Sequence, residues 1–204
     1  MALDLRPGER VYQEIKQAIL SGEFAVQQRL DIDRLSSQFG VSATPVRYAL
    51  AILAAERLVR LHASRTYHVA FWSERELREL YAWRQQLAEW SIETYTPTPL
   101  PSGLSLLGDY PGAYLELMQQ LDTNANTETR RAGRGADERL QPALRAELEV
   151  FADASADLTK LVAALQTGGA SLKNAVRKYF RRRIGHCAAI RNAAHAKAKP
   201  PNGD

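Results

Sequence analysis

The residues best suited to bind a ligand through their side chains lie around the tripeptide Gly40-Val41-Ser42, with Thr44 and Arg47 directly after it. Glycine permits a tight turn there, and the valine can fill the angle between two helices. Polar side chains at the exposed start of the helix that follows such a turn face the major groove and the adjacent phosphates of DNA. An arginine at that point can bind a guanine edge bidentately, which is worth roughly 1–3 kcal/mol of base discrimination. The spacing therefore predicts a helix-turn-helix.

Three helices are predicted to position these residues. Apolar residues recur at helical spacing over residues 11–19, which predicts the first helix. Asp31 can cap a second helix that ends at Gly40. Thr44 can cap a third helix with Pro45 at its first position, where the missing N–H costs nothing.

A two-stranded wing is predicted directly after the third helix. Residues 59–61 and 66–71 alternate between outward and inward positions, as strands do. The turn between them carries Ser64 and Arg65, which can place a cation over the minor groove or the DNA backbone. The pattern of this segment thus predicts a winged helix-turn-helix.

The remainder of the chain is predicted to be a bundle of helices, so that the fold class is mostly α. Ser73 and Glu76 have the spacing of a capping box and open one helix. We predict the polar stretch over residues 122–135 to be a mobile loop. Further helices are predicted over residues 113–121, 136–152, 156–166 and 171–194.

The stretch over about residues 9–92 resembles the N-terminal domain of GntR-family bacterial transcription regulators, and most of all the FadR-type branch. The resemblance rests on ILSGEF, LSSQFGVSATPVRYAL, the Leu-Val exit from the third helix and the Ser-capped helix, all in order and in register. It implies a winged helix joined to an all-helical domain that binds an effector and dimerises. The candidate DNA contacts are Arg34, Ser42, Thr44, Arg47 and Arg65.

Several residues depart from the pattern of the family. Val26-Gln27 stand where the family has Pro-Gly, Ala43 replaces an arginine, and Tyr48 replaces an acidic residue. Arg57 replaces a glycine, and Ser64 is expected at the glycine position of the wing. The loss of one base-reading arginine implies a changed operator or weaker specificity.

The resemblance also bears on metal binding, because many relatives bind a divalent metal ion through one Asp and three His. Here Leu158 stands at one expected histidine, and the last-helix position falls near Phe180 or Arg182. The Asp-x3-His pair has no better match than Asp137 and Gln141. We therefore predict no metal and no other cofactor.

Two arginines fall on the predicted apolar sides of helices in the C-terminal part. Arg84 lies on that side of the helix after Ser73, and Arg183 lies near the centre of the last apolar stripe. A buried charge without a partner is costly, so each needs an anion. One interpretation makes Arg84 and Arg183 the contacts for an acidic effector. The other is internal pairing, with Glu89, Glu147, Glu149 or Asp153 as partners.

Composition sets the remaining bounds. The 204 residues, 45% hydrophobic and 25% charged, are typical of a folded chain of one or two domains. Basic and acidic side chains number nine and seven in residues 1–72, eight and fifteen in 73–157, and ten and one in 158–204. The single cysteine, Cys187, excludes an internal disulfide. No apolar run is long enough to cross a bilayer, and we expect a soluble, cytoplasmic protein.

These observations predict a DNA-binding domain over residues 1–72, a helical effector-binding and dimerisation domain over 73–196, and a disordered tail over 197–204. The function that follows is a homodimeric transcription regulator, a repressor rather than an activator, that binds operator DNA and a small acidic molecule. The alternative is a winged-helix module for protein contacts, with a helical domain that only dimerises. No nucleophile motif or phosphate-binding loop is found, and we predict that the chain is not an enzyme.

Overall fold

The computed structural model describes residues 7–98 and 109–197. The chain divides into two compact units, one of which includes the described residues up to Phe71 while the other spans Trp72–Ala194. We call them the winged-helix unit and the helical unit. Most of the predicted tail over 197–204 lies outside the described residues. Within residues 7–98 and 109–197 no helix is long and apolar enough to span a membrane.

Three helices form most of the winged-helix unit, and the local sequence explains where the second of them begins and ends. The Asp31 carboxylate accepts hydrogen bonds from the backbone N–H groups of Asp33 and Arg34 (3.1 and 3.0 Å), which caps the second helix. Gly40 ends that helix in the left-handed conformation, with φ of 63°. The helices are α1 (Pro7–Ser21), α2 (Ile32–Phe39) and α3 (Ala43–Ala55).

The start of α3 differs from the prediction. Ser42, and not Thr44, is the N-cap residue, and Pro45 is the third helical residue instead of the first. The helix therefore begins earlier than predicted. Pro45 is tolerated at its observed position, because the backbone N–H groups of the first turn lack helical partners.

The wing contains one strand more than the sequence predicts. Strand β1 (Arg29–Leu30) pairs with β3 (Tyr67–Val69), which in turn pairs with β2 (Val59–Leu61). All pairs are antiparallel, and the order is β1-β3-β2. The additional strand has only two residues, which is too short to show a period-two pattern. It joins the wing to the segment that leads into α2.

The core of the winged-helix unit is formed by apolar side chains from all three helices and all three strands. The predicted inner faces of α1 and α3 are confirmed, since Val11, Ile15, Val46 and Leu50 are fully buried. The cluster comprises Val11, Ile15, Ile19, Leu30, Leu35, Val46, Ala49, Leu50, Leu53, Leu58, Val59 and Val69.

The helical unit begins with the helix that the Ser73–Glu76 capping box opens, as predicted. The Ser73 hydroxyl accepts the Glu76 N–H at 3.2 Å, and the Glu76 carboxylate accepts the Ser73 N–H at 2.7 Å. The described helices from this point on are α4 (Glu74–Thr94), α5 (Tyr110–Asp122), α6 (Thr127–Val150), α7 (Ala154–Thr167), α8 (Gly169–Gly185) and α9 (Cys187–Ala196). The mostly α fold class is confirmed.

The stretch over residues 122–135 is not the predicted loop. Asn126 caps α6 by accepting the Thr129 N–H at 2.8 Å, and most of the stretch forms the first part of that helix. This first part of the helix buries polar and small residues, such as Thr129 and Gly133, instead of large apolar ones. The single predicted helix over 171–194 is also wrong, because α8 ends at Gly185 and α9 begins at Cys187.

Candidate functional site

The first turn of α3 presents polar side chains to solvent. Ser42 adopts an extended backbone at the N-cap, but its hydroxyl makes no capping hydrogen bond and is exposed. Thr44 and Arg47 are exposed on the same first turns, while Val46 between them is fully buried. The buried valine fixes the rotation of the helix, so that Ser42, Thr44 and Arg47 stay accessible to a ligand.

Two further predicted cations, Arg34 and Arg65, are exposed on the same unit. Arg34 lies on α2, and Arg65 lies in the turn between β2 and β3. Within the described parts of the chain, neither these two guanidinium groups nor that of Arg47 takes part in an ion pair. Three exposed arginines of this unit are therefore available to phosphate groups, which bind guanidinium bidentately.

The backbone of this unit is strained at three exposed residues. Gln27, Arg57 and Arg65 have φ of 63°, 61° and 58°, in the left-handed region that favours glycine. Gln27 and Arg57 are positions where the resemblance implies glycine. In the wing the left-handed residue is Arg65, so the expected glycine position at Ser64 is wrong by one residue. The His62 N–H binds the Thr66 carbonyl at 2.9 Å, which makes this a three-residue hairpin loop.

In the helical unit, Arg84 on α4 is completely buried among acidic groups. Its Nε donates to Asp137 Oδ1 at 2.7 Å, and its Nη2 donates to Asp122 Oδ2 at 2.9 Å. Asp122 also accepts from the Ser91 hydroxyl at 2.6 Å, and Asp137 accepts from the Tyr114 hydroxyl at 2.9 Å. The third nitrogen, Nη1, is buried and has no hydrogen-bond partner among the described residues.

Arg183 on α8 is the centre of a second buried cluster. Its Nε donates to Glu147 Oε2 at 2.9 Å, and its Nη1 donates to Asp157 Oδ2 at 2.7 Å. Its Nη2 donates to the Tyr110 hydroxyl at 2.8 Å, and the guanidinium lies 3.6 Å from the centroid of the Tyr179 ring. Every nitrogen of Arg183 is therefore used by the protein itself.

The pKa values of the Arg84 cluster are set by burial and by charge pairing, which act in opposite directions. Burial raises the pKa of Asp122 and of Asp137, and attraction to Arg84 counters only part of that effect. Burial is the largest single influence and would lower the pKa of Arg84, but the interactions with Asp137, Tyr114 and Asp122 together outweigh it and raise the pKa. Two carboxyl groups with raised pKa values thus share one guanidinium that stays charged.

The two clusters are joined by tyrosines. The Tyr114 ring stacks on the Tyr179 ring with centroids 5.9 Å apart, and the Tyr179 hydroxyl lies 2.7 Å from the Tyr110 hydroxyl. Glu147 also accepts hydrogen bonds from Tyr110 and from Tyr81, the latter at 2.5 Å. One continuous buried network of charges and phenols therefore runs through the helical unit.

Internal pairing, one of the two interpretations of the arginines, is present for both. Glu147 is a partner of Arg183, as that interpretation expected. Glu89 and Asp153 instead bind exposed or half-buried arginines, Arg177 and Arg182. Sequence reasoning missed the partners of Arg84, because Asp122 and Asp137 lie in or next to the stretch that was predicted to be a loop.

The residues at the metal positions of the resemblance do not fit a metal. Asp137 is already bound to Arg84 and Tyr114, while Leu158 and Phe180 are buried apolar side chains. Within residues 7–98 and 109–197, no group of three or more His, Cys, Asp or Glu side chains is placed to hold a metal ion. The predicted absence of a metal stays a prediction that an assay has to test.

The winged-helix unit is similar in sequence to known proteins. Residues 7–69 match the model of the family "Bacterial regulatory proteins, gntR family". The uncharacterized HTH-type transcriptional regulator BphR of Paraburkholderia xenovorans is 38% identical over 76 residues, 37% of this chain and 31% of that protein. The HTH-type transcriptional repressor GlaR of Escherichia coli is 36% identical over 70 residues, 34% of this chain and 32% of that protein. The matched region thus spans about a third of the length of these curated relatives.

The fold of the whole chain also has solved counterparts. A GntR transcriptional regulator structure from Rhodococcus sp. RHA1 has a TM-score of 0.69 at 19% identity, and covers 91% of this chain and 98% of its own. At that identity the likeness concerns the fold alone. The relatives matched by sequence are named transcriptional regulators. Residues 7–69 of the winged-helix unit therefore match the DNA-binding region that the gntR family of bacterial regulatory proteins shares.

Proposed function

We propose that the chain is a sequence-specific transcription regulator that binds operator DNA as a homodimer. The observation that carries the proposal is the first turn of α3, where Ser42, Thr44 and Arg47 are exposed on a helix whose other side is locked into the core. Arg34 precedes that helix in the sequence and Arg65 follows it, and each supplies an exposed cation. Repression is the direction we favour, since the relative GlaR is named a repressor.

Within this proposal Arg47 reads bases, and Arg34 and Arg65 bind phosphates. A bidentate arginine–guanine contact discriminates between bases, while a phosphate contact positions the protein without reading sequence. Ala43 carries no hydrogen-bonding side chain where the family pattern has an arginine, and Tyr48 is exposed one residue after Arg47. We therefore expect an operator that differs from those of relatives with arginine at position 43.

The experiment that tests DNA binding is the selection of genomic fragments by the purified full chain, followed by affinity measurements on the selected site at several salt concentrations. Specific binding should weaken steeply with salt, because each neutralised phosphate releases counterions. Arg47→Ala should lose about 10-fold or more in affinity for the selected site, while its thermal melting stays unchanged.

Arg181→Ala is the matched control, because Arg181 is an exposed arginine of the helical unit. It should bind the site as the parent chain does. Equal affinities of the Arg47 variant and the parent would remove Arg47 from the base-reading set. If no DNA is selected at all and proteins are captured instead, the winged helix serves protein contacts.

The effector part of the proposal places a small molecule in the helical unit, with Arg84 and Arg183 as the predicted contacts. The unpartnered Arg84 Nη1 supports it, since a buried donor without an acceptor is costly and a ligand oxygen would relieve that cost. Both arginines already have acidic partners, so an acid has to compete with Asp122, Asp137, Glu147 and Asp157. Melting shifts with carboxylic acids, sugar acids and their neutral amides test this part.

A further inference from the structure

The exposed residues of α3 share one side of the helix. Successive members lie one, three or four residues apart, a spacing that places side chains on one helical face. The members are Thr44, Arg47, Tyr48, Ala51 and Ala55. The sequence of α3 contains no acidic residue. Beside the single cation of Arg47, this face therefore offers one hydroxyl group and a set of apolar groups.

Tyr48 is the aromatic side chain of this face and is 55% exposed. It lies outside the apolar core cluster of the winged-helix unit. A Cβ atom at Gly8 of α1 would lie 3.0 Å from Cδ1 of Tyr48, so the ring rests directly against the backbone in the first turn of α1. That contact supports the ring from one side, while more than half of the side chain stays open to solvent.

The chemistry of this face can be compared with what base pairs present in the major groove. Base edges there carry hydrogen-bond donors and acceptors and one kind of apolar group, the C5 methyl of thymine. Arg47 suits the two acceptors of guanine. The ring of Tyr48 and the methyl group of Ala51, three residues further on, suit an apolar group instead. The face thus combines a cation for guanine with apolar surface for thymine.

We propose that Tyr48, with Ala51 beside it, reads the C5 methyl group of thymine in the operator. The inference rests on the proposed function, in which α3 enters the major groove, and it names a second base that this helix reads. Cytosine at the same place would set a polar amino group against the ring. That group would lose water without gaining an acceptor, which is unfavourable.

The test uses the DNA site that the full chain selects, with each thymine replaced in turn by uracil. Uracil keeps the hydrogen-bonding groups of thymine and lacks only the methyl group. The parent chain should bind at least one of these sites about 4-fold more weakly, the loss expected for one buried methyl group.

Tyr48→Ser should bind the selected site more weakly than the parent chain does. It should also bind the thymine form and the uracil form of that site equally well, since the ring that contacts the methyl group is gone. Its thermal melting should match that of the parent chain, because the side chain lies outside the core cluster.

Tyr48→Phe separates the ring from its hydroxyl group. This variant should keep the full difference between thymine and uracil. If it binds as weakly as Tyr48→Ser, the hydroxyl group makes the contact, through a phosphate for example, and the proposal is wrong. Leu148→Ser is the matched control, since it removes a 48% exposed apolar side chain from the helical unit and should keep the difference of the parent chain.

The outcomes distinguish this inference from the proposed function. If the parent chain selects a site and binds every uracil form as well as the thymine form, the inference is wrong and the proposed function stands. A difference that persists in Tyr48→Ser assigns the methyl group to another residue and also overturns the inference. If the chain selects no DNA, the proposed function fails, and this inference fails with it.

Discussion

Every buried charged or polar side chain among the described residues lies in the helical unit, while the core cluster of the winged-helix unit is apolar throughout. The two units therefore depend on different interactions. Apolar burial is non-directional and stabilises in proportion to area. A buried ion network stabilises only when every member has its partners, since each unpaired charge is costly.

The difference predicts which substitutions each unit tolerates. The winged-helix unit has no charged side chain in its core cluster, and Arg34, Arg47 and Arg65 are exposed on it. In the helical unit Arg84 and Arg183 are buried. Their ion-pair partners are Asp122, Asp137, Glu147 and Asp157. Loss of one network member should thus affect the helical unit strongly and locally.

The largest effect is expected for Arg183→Met. The substitution leaves Glu147 without its guanidinium in a site with no solvent access, and breaking a buried pair in this way costs about 3–5 kcal/mol. Denaturant unfolding followed by circular dichroism measures the loss. Hydrogen exchange should assign it to the helical unit and leave the amides of the winged-helix unit as protected as before.

Arg181→Met is the matched control, because Arg181 is exposed two residues earlier on the same helix. Its effect should stay within about 0.5 kcal/mol, as for most surface substitutions. Similar losses for the two variants would show that the network contributes little. Substituting Glu147 as well as Arg183 by apolar residues should recover part of the stability, since no unpaired charge then remains.

The same contrast explains how much the sequence could predict. In the winged-helix unit, regular apolar spacing and the Asp31 and Gly40 caps were sufficient for all three helices. In the helical unit, the first part of α6 buries Thr129, Gly133 and Asp137, which carry no apolar periodicity. Asp137 binds Arg84 from a distant segment, and spacing along the chain does not reveal such a contact.

A second, intermediate effect should appear as a pH dependence that belongs to the helical unit. The pKa of Asp122 is raised in the folded chain, mainly by burial, so the folded state binds this proton more tightly than the unfolded state. Stability from this group is therefore present at low pH and is lost as the pH rises through the folded pKa. Asp122→Asn removes that dependence. The parent chain should gain stability relative to the variant as the pH falls from neutral towards about 4.

Asp153→Asn is the control with the opposite sign. A hydrogen bond from Arg182 lowers the pKa of the exposed Asp153, so its contribution is lost as the pH falls through that lowered value. Denaturant unfolding at constant ionic strength over this pH range measures both differences. If the parent chain and Asp122→Asn show parallel curves, Asp122 does not carry the raised pKa, and the charge balance around Arg84 needs another explanation.

The smallest effect is expected for a substitution in the winged-helix unit. Its strain lies in the backbone instead of in buried charges, since Arg57, the second residue after α3, has φ of 61°. A side chain in the left-handed conformation costs roughly 1–2 kcal/mol, which glycine avoids at some cost in unfolded-state entropy. Arg57→Gly should therefore raise the free energy of unfolding of this unit by about 0.5–1 kcal/mol.

Arg57→Ala separates relief of strain from loss of the cation, because alanine keeps the Cβ atom that makes φ of 61° unfavourable. It should bring no gain in stability. Arg65→Gly should stabilise the wing for the same reason as Arg57→Gly, but it also removes a predicted phosphate contact. Its affinity for operator DNA should fall, and the slope of log affinity against log salt should decrease by about one. A gain in stability without any change in that slope would show that Arg65 occupies its strained position for a reason other than DNA.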